Sequence, residues 1–167
     1  MNKLENLTSK ILDADQLRRA CVVWKFKNQK VVFTNGCFDI LHLGHIEYLS
    51  KAADLGSILV IGVNSDRSVQ NIKGKNRPIN DEHSRSIVLA ALEFVTAVVL
   101  FDEETPYELI KTIQPDILVK GKDYKVDEIA GHDIVLSKGG IVETIDLTPG
   151  YSTTAIEQKI INLHKGN

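Results

Sequence analysis

Two histidines three positions apart, His42 and His45, have the side chains and spacing best suited to chemistry on a charged substrate. On the first turn of a helix, residues at this spacing project from one face. Two imidazoles there can donate hydrogen bonds to phosphate oxygens as negative charge builds up in a displacement transition state. Gly44 lies between them and leaves the approach path free of a side chain. A bare pair of this kind also fits a structural role, in which one histidine caps the helix and the other packs against a sheet.

The residues just before this pair can approach a phosphate group. Gly36 follows the first predicted strand, where it allows the backbone to turn tightly near a ligand, and free amides at the start of the next helix can face an anion. The chain has neither Gly-x-x-x-x-Gly-Lys-Ser/Thr nor Gly-x-Gly-x-x-Gly, which disfavours a kinase-type P-loop and an ordinary dinucleotide site. A zinc ion shared by the histidines is disfavoured too, because no third ligand occurs at a recognisable spacing. No direct metal ligand is predicted.

A polar segment and a basic loop follow the second predicted strand. Asn64-Ser65-Asp66 can cap a helix or offer polar groups to a nucleotide. Lys73, Lys75 and Arg77 form a basic loop that either closes over phosphates or remains a solvated charged loop.

Two more polar segments lie toward the C-terminus. In Lys120-Gly121-Lys122-Asp123, Asp123 can hold a sugar or base edge and Gly121 permits close backbone approach, although a tight polar turn explains the same residues. Ser152, Thr153 and Thr154 open the last predicted helix, where hydroxyls and free amides together favour phosphates. A plain helix cap would account for one of these hydroxyls, not for three.

Short β-branched runs alternate with amphipathic stretches of helical length after residue 30. The predicted strands are Lys30–Thr34, Ile58–Val63, Ala97–Leu100, Ile117–Lys120 and Ile141–Ile145. The predicted helices are Gly44–Leu55, Asp81–Phe94, Pro106–Ile113, Val126–Ser137 and Thr153–Leu163. Because the strands are almost continuously apolar, we expect a Rossmann-like α/β fold, with a doubly wound five-stranded parallel sheet and helices on both faces. Ligands bind beyond the carboxyl ends of such strands, where the polar segments should gather.

Residues 1–29 precede this pattern and predict an N-terminal helical extension, with helices at Leu4–Leu12 and Ala14–Asn28. Residues 30–167 are predicted to form the α/β domain, so that the chain is a single domain overall. The extension can pack on this core or on a second subunit, which is compatible with a homodimer.

Composition and charge disfavour several classes of protein. Among 167 residues, 20 basic and 22 acidic side chains give a net charge of -2, so no nucleic-acid partner is expected. Cys21 and Cys37 match neither a disulfide framework nor a zinc spacing and are expected to be free thiols. The N-terminus lacks the apolar run of a signal peptide, and the longest apolar stretch, Ile87–Phe101, is too short to span a bilayer. We therefore expect a cytoplasmic protein with no membrane partner.

The run from Gly36 to His45 resembles, in register, the Gly-x-Phe-Asp-x-x-His-x-Gly-His signature of the cytidylyltransferase-like nucleotidyltransferases. The resemblance implies that His42 and His45 contact the triphosphate of the incoming nucleotide and stabilise the five-coordinate phosphorus. It also implies direct in-line transfer without a covalent intermediate.

Further segments are similar to the bacterial heptose 1-phosphate adenylyltransferases, over the region from about residue 30 to about residue 160. They are Asn64–Val69, Lys73–Ile79, Leu118–Tyr124 and Pro149–Thr154. In that family the activity is often the C-terminal half of a bifunctional protein whose other half is a sugar kinase. The 167 residues contain no kinase domain, so we expect a stand-alone form.

Residue chemistry and resemblance together predict the site. His42, His45 and Lys73 are predicted to be catalytic. The predicted sugar-phosphate-binding residues are Asp39, Asp66 and Arg77. The predicted nucleotide-binding residues are Thr34, Asn35, Gly36, Cys37, Phe38, Asp39, Gly44, Asn64, Lys120, Gly121, Asp123, Ser152, Thr153 and Thr154.

The implied reaction is transfer of AMP from ATP to D-glycero-D-manno-heptose 1-phosphate, which gives ADP-heptose and pyrophosphate for lipopolysaccharide or another surface glycan. Mg²⁺ is expected to bridge the phosphates, because several negative charges must be neutralised in a small site. Asp39 can contribute to holding the ion through water.

Two alternatives stay open at this point. The first is a cytidylyltransferase that uses CTP and glycerol 3-phosphate; Leu147 stands where its last motif has arginine, and Cys37 where it usually has threonine, so both positions favour the adenylyltransferase. The second is a nucleotide-binding module without catalysis, which the intact histidines and the final Ser-Thr-Thr segment disfavour.

Overall fold

The computed structural model describes residues 2–165, with the backbone alone for Lys165. Met1 and the last two residues of the predicted domain 30–167 lie outside the described residues. The elements, in chain order, are α1 (Lys3–Thr8), β1 (Ile11–Leu12), α2 (Ala14–Phe26), β2 (Val31–Gly36), α3 (Leu43–Ala53), β3 (Ile58–Asn64), α4 (Asp66–Lys73), α5 (Glu82–Ala90), β4 (Ala97–Phe101), α6 (Tyr107–Ile113), β5 (Ile117–Gly121), a 3₁₀ turn (Val126–Glu128), α7 (His132–Ser137), β6 (Ile141–Ile145) and α8 (Thr153–Lys165).

The strands form one parallel sheet in the order β1-β4-β3-β2-β5-β6. On one side of β2, Val31 to Gly36 pair in register with Ile58 to Val63 of β3; on its other side, Val32 pairs with Ile117 of β5. The chain therefore builds outward from β2 in one direction and later returns to build in the other. In parallel α/β sheets a crevice opens beyond the carboxyl ends of the strands at such a reversal.

Helices cover both faces of this sheet. Val31 and Phe33 of β2 point into one core with residues of α2, α6 and α7, whereas Val32 points into a second core with residues of α3 and α5. The whole of β3 is buried, which explains its uninterrupted apolar sequence. The two cores hold the carboxyl ends of β2, β3 and β5 in fixed relative positions.

The predicted parallel α/β architecture is confirmed, but within residues 2–165 the sheet has six strands rather than five. The additional strand, β1, lies within the residues predicted as the helix Leu4–Leu12, which ends at Thr8 instead. Ile11 and Leu12 then pair in parallel with Val98 and Val99. The N-terminal segment thus forms one edge of the sheet in addition to its helices.

Two helix predictions also need correction. The predicted helix Val126–Ser137 is interrupted, because Gly131 has a φ of +85° that no α-helix accommodates. Residues 66–73 form a helix that was not among the predicted helices, although a cap within Asn64-Ser65-Asp66 was one of the two readings of that segment. The Ser65 hydroxyl caps this helix by accepting a hydrogen bond from the amide of Ser68. Throughout residues 2–165, the helices lack the combination of length and apolar character needed to cross a bilayer.

Candidate active site

A cleft of about 560 Å³ lies at the carboxyl ends of the strands, beside the reversal between β2 and β5. It gathers residues from the loop after β2, from α3 and α4, from the loops after β4 and β5, and from the start of α8. Its lining in the described part of the chain consists of Asn35, Gly36, Cys37, Phe38, Asp39, His45, Tyr48, Asn64, Ile72, Lys73, Glu104, Thr105, Pro106, Lys120, Gly121, Asp123, Tyr124, Glu128, Ile129, Ala130, Leu147 and Thr153.

The two histidines lie together at the start of α3. His42 is the N-cap, and its Nδ1 accepts a hydrogen bond from the backbone amide of His45 at 3.3 Å. The imidazole rings stack with their centroids 3.8 Å apart, and the ring of Phe38 meets His45 edge-on at 5.4 Å. Because Nδ1 of His42 is an acceptor, the neutral ring carries its proton on Nε2. Capping the helix therefore leaves His42 with one N–H to offer a ligand.

Burial keeps both imidazoles neutral before a ligand arrives. The pKa of His45 is lowered to about 4, by burial first and then by the nearby charges of His42 and Lys73. Burial also lowers the pKa of His42. A bound triphosphate would act in the opposite direction, because a nearby anion favours the charged form of a histidine.

The turn that leads from β2 to the histidines is centred on Phe38, which corrects the prediction of a turn at Gly36. Phe38 has a φ of 47°, in the left-handed region, and its ring is buried. A Cβ on Gly36 would lie 3.1 Å from this ring. Gly36 thus makes room for the aromatic side chain that in turn packs against His45.

Asp39 is an anchor rather than a free carboxylate. Its oxygens accept hydrogen bonds from Arg77 Nη1 at 2.7 Å and from the backbone amides of Ile79 and Asn80 at 2.8 and 2.9 Å. Burial alone would raise the pKa of Asp39, but these donors outweigh it and lower the pKa below the usual value. The carboxylate therefore fastens the loop after α4 to the end of β2, although one side of Asp39 still lines the cleft.

Arg85 is a second anchor, and the sequence did not predict a role for it. Its side chain is completely buried and donates to the carbonyl oxygens of Cys37 at 2.6 Å and Asn80 at 3.0 Å, and to Asp66 Oδ1 at 2.7 Å. One guanidinium thus joins the loop after β2, the loop before α5 and the start of α4. Asp66, predicted to bind the sugar phosphate, is held in this contact and does not line the cleft.

A half-buried lysine lies in the cleft. Lys120 Nζ donates to the carbonyl oxygen of Asn35 at 3.2 Å and lies 5.4 Å from the centre of the Tyr124 ring. Burial lowers the pKa of Lys120 to about 8, although the charge of Asp123 acts to raise it. An ammonium group with so little competing solvent is well placed to attract phosphate oxygens.

Thr34 lies beneath the cleft and not in its lining. The Thr34 and Tyr48 hydroxyl oxygens are 2.7 Å apart in the buried interior, so the predicted nucleotide-binding threonine is already paired. Burial raises the pKa of Tyr48, whose ring reaches the cleft. Tyr48 was not among the predicted site residues, but its position three residues after His45 on the same helix face is a signal that could have identified it.

The three hydroxyl residues at the start of α8 have different environments. Thr153 lines the cleft, Ser152 Oγ caps the helix by accepting from the amide of Ala155 at 3.0 Å, and Thr154 is exposed. Gly44 allows this segment to come close, because a Cβ there would lie 3.1 Å from Cβ of Tyr151 and 3.2 Å from Nδ1 of His42.

The structure brings most predicted site residues into one cleft. Those outside its lining are Thr34, His42, Gly44, Asp66, Arg77, Ser152 and Thr154. The cleft residues that were not predicted come mainly from the loops after β4 and β5, such as Glu104, Tyr124 and Glu128. The signals in the sequence that could have identified them are their positions in the segments that follow strands and, for Tyr124, its place in the similar segment Leu118–Tyr124. Cys21 and Cys37 are both free, as predicted.

Comparison with known proteins gives a consistent result. Residues 33–159 match the model of the cytidylyltransferase-like family. The chain is 50% identical over 151 residues to the bifunctional protein HldE of Wolinella succinogenes. This match covers 90% of this chain and 31% of that protein. It is 57% identical over 136 residues to the HldE of Campylobacter jejuni subsp. doylei, covering 81% of this chain and 29% of that protein. The chain thus spans about a third of the length of these curated relatives.

Two solved structures share the fold. The lipopolysaccharide core biosynthesis protein of Thermoplasma volcanium superposes with a TM-score of 0.59 at 35% identity, covering 72% of this chain and 97% of that one. Pantoate-beta-alanine ligase of Francisella tularensis, solved with beta-gamma ATP and beta-alanine, gives a TM-score of 0.58 at 17% identity, covering 93% of this chain and 78% of that one. The second likeness extends to the fold alone.

Proposed function

Because the chain belongs to the cytidylyltransferase-like family, a family of nucleotidyltransferases, we propose that it transfers AMP from ATP to D-glycero-D-manno-heptose 1-phosphate. The observation that carries this proposal is the convergence of His45, Lys73, Lys120 and Thr153 on one cleft at the strand ends. The similarity of segments such as Leu118–Tyr124 to heptose 1-phosphate adenylyltransferases supports this acceptor, as does the identity with the HldE proteins.

The nucleotide would lie across the strand ends, between the loop after β2 and the start of α8. The positive charges of Lys73 and Lys120 would partly neutralise its triphosphate, and the free amides at the start of α8 add partial positive charge. Thr153 and Asp123 offer polar groups to the same ligand. Gly121 is buried beside Asp123, where a Cβ would lie 2.5 Å from the carboxylate, so glycine keeps this side chain in place.

In the proposed reaction an oxygen of the sugar phosphate attacks the α-phosphorus of ATP. The bond from this phosphorus to the bridging oxygen breaks on the opposite side, and pyrophosphate leaves with the bonding electrons. The N–H groups of His42 and His45 donate to phosphate oxygens as their charge grows. Lys73 stabilises the same charge from the end of α4. We assign Asp39 and Asp66 to the acceptor side indirectly, through the loops that they hold, and Arg77 contributes to this side only by binding Asp39.

The cleft suits a Mg²⁺ ion that is bound mainly by the phosphates of the nucleotide. In residues 2–165 no three His, Cys, Asp or Glu side chains converge to form a cage for a metal ion, and both oxygens of Asp39 are engaged. Carboxylates that line the cleft, among them Asp123, whose charge acts on Lys120, are available for water-mediated contacts to the ion. The ion would neutralise phosphate charge, as magnesium does in other sites where substrate phosphates supply most of its ligands.

Several predictions of the sequence accompany this proposal. They are the division into residues 1–29 and 30–167, a cytoplasmic location and a homodimer. Val22, Val23 and Phe26 on α2 are exposed apolar side chains, with 88% of Phe26 accessible, and a second subunit can cover them. Sedimentation of the wild-type chain and of a Phe26→Glu variant would test the dimer.

The decisive experiment measures Mg²⁺-dependent pyrophosphate release with ATP or CTP against heptose 1-phosphate or glycerol 3-phosphate. Release confined to ATP with heptose 1-phosphate would support the proposal. Release with CTP and glycerol 3-phosphate would replace it with a cytidylyltransferase, and nucleotide binding without release from any pair would favour a non-catalytic module.

A further inference from the structure

Arg77 connects two parts of the molecule that are far apart in sequence. Its guanidinium donates to Asp39 Oδ2 at 2.7 Å through Nη1 and forms an ion pair with Glu157 of α8 through Nη2. The side chains become more exposed along this series, from 2% at Asp39 through 19% at Arg77 to 25% at Glu157. Together they form a continuous charged bridge from the end of β2 to the first half of α8.

This bridge matters because α8 has few other attachments. Within residues 153–164, only Thr153, Ile156 and Glu157 are half-buried, and the others are exposed. These three have the i, i+3, i+4 spacing of a single helix face. That face is therefore the one by which α8 is held to the rest of the protein, and Glu157 supplies its only charged group.

The Glu157 end of the bridge lies one helical turn from the cleft. Thr153 lines the cleft and Glu157 follows four residues later, a rise of about 6 Å along the helix. The segment before α8 is attached separately, where Thr148 donates to Glu47 of α3 and Lys122 pairs with Asp146 at 3.0 Å. These contacts hold the approach to the helix, whereas the Arg77 contact sets the direction of the helix itself.

We propose that Arg77 is a positioning residue which, by binding Asp39 and Glu157 at once, holds the start of α8 over the nucleotide-binding cleft. A guanidinium can serve two carboxylates from different nitrogens, which a lysine ammonium on a flexible stem does less well. The role replaces the direct sugar-phosphate contact predicted for Arg77 and gives Glu157 a function. The nucleotide part of this inference rests on the proposed function; the attachment of α8 does not.

The attachment is tested first, without nucleotide, by hydrogen–deuterium exchange of peptides from α8. Glu157→Gln removes the charge but keeps the shape of the side chain. Arg77→Lys keeps the positive charge but removes the guanidinium, whose two terminal nitrogens bind the two carboxylates. Both variants should raise exchange across α8 by roughly threefold to tenfold and leave β2 and β3 unchanged. Glu143→Gln, an equal charge change at an exposed position of β6, is the matched control and should exchange like the wild type. Wild-type exchange in α8 of Glu157→Gln would overturn the proposal.

The consequence for nucleotide is tested by equilibrium titration with Mg-ATP and by steady-state kinetics. Glu157→Gln should weaken nucleotide binding by roughly threefold to tenfold and raise the KM for ATP to match, with kcat and the KM for the acceptor near wild type. Adding Glu157→Gln to Arg77→Lys should have little further effect, because both changes break one bridge. Equal losses in kcat and affinity, or full additivity, would overturn the positioning role. A wild-type protein that binds no nucleotide would refute the proposed function, while the exchange result would still decide whether Arg77 holds α8.

Discussion

The imidazole rings of His42 and His45 stack with their planes 17° apart and their centres separated by 3.8 Å. Two imidazolium ions so close would repel each other, and burial already favours the neutral form of both. The pair therefore meets the nucleotide with no net charge, and the cap on α3 leaves the Nε2–H of His42 as an oriented donor. Charge develops on it only when the phosphates supply the compensating anion.

Replacing either histidine with alanine should lower kcat by about 100- to 1000-fold, the usual loss when one preorganised donor to a transition state is removed. His42→Ala also removes a helix cap, whereas His42→Asn keeps a capping side chain and separates the two effects. Pyrophosphate release measures turnover, and urea unfolding checks the fold. His83→Ala, at an exposed position of α5, is the control. Near-normal turnover in both His42→Ala and His45→Ala would contradict the mechanism.

The stability of the protein should depend on the protonation of His45. Its pKa is about 4 in the folded protein and about 6.5 in the unfolded chain, so the unfolded chain binds the proton first as the pH falls. The free energy of unfolding should therefore decrease between pH 6.5 and pH 4 and level off below, by about 1–2 kcal/mol from this half-buried group. Urea titrations of wild type and His45→Gln across this range measure the difference. Two parallel pH profiles would show that His45 makes no contribution.

Arg85→Met should destabilise the protein by roughly 2–4 kcal/mol, because two carbonyl oxygens and the carboxylate of Asp66 lose their common donor in the interior. Arg67→Met is the matched control: Arg67 pairs with Asp102 but is largely exposed, so its loss should cost under about 1 kcal/mol. Urea unfolding compares the two variants. Similar stability for both would mean that the buried contacts of Arg85 are not required for folding.

Lys120 should set the alkaline limit of nucleotide capture. Burial lowers its pKa to about 8, so the free enzyme loses this positive charge as the pH rises through that value. The value of kcat/KM for ATP, which reports groups of the free enzyme, should fall above about pH 8. In Lys120→Arg the side chain stays charged, and the fall should move to higher pH. An unchanged alkaline limb in Lys120→Arg would assign it to another group.

The structure of the long periodic segments of this chain can be predicted from their sequence. Short elements, and features that depend on tertiary contacts, cannot. The five predicted strands all appear, because each carries enough β-branched and apolar residues to specify a strand, although β6 at the edge of the sheet is only partly buried. β1 has two residues and exists only through its pairing with β4, so no local pattern could reveal it. The interruption at Gly131 likewise depends on one backbone angle inside an otherwise helical pattern.

The site shows the same division. The polar segments after the strands predicted the location of the cleft, because parallel strands bring their carboxyl ends to one edge. Individual roles were harder to assign: Arg85 lies between two serines and resembles a surface residue in sequence, yet its partners come from positions 37, 66 and 80. Asp39 and Arg77 were predicted to meet ligands separately, and only the folded protein shows that they bind each other.

The two-residue strand β1 protects an edge of the sheet from pairing with another molecule. Val98 and Val99 of β4 are buried and apolar, and their outer side is covered by Ile11 and Leu12, with the amide of Val98 donating to the carbonyl oxygen of Lys10 at 2.9 Å. Without that cover, β4 would present unpaired backbone groups along an apolar strand, a template for pairing with another molecule. A strand as short as β1 is a poor template itself. The N-terminal segment thus covers the sheet edge along which β4 would otherwise be open to pairing with a second molecule.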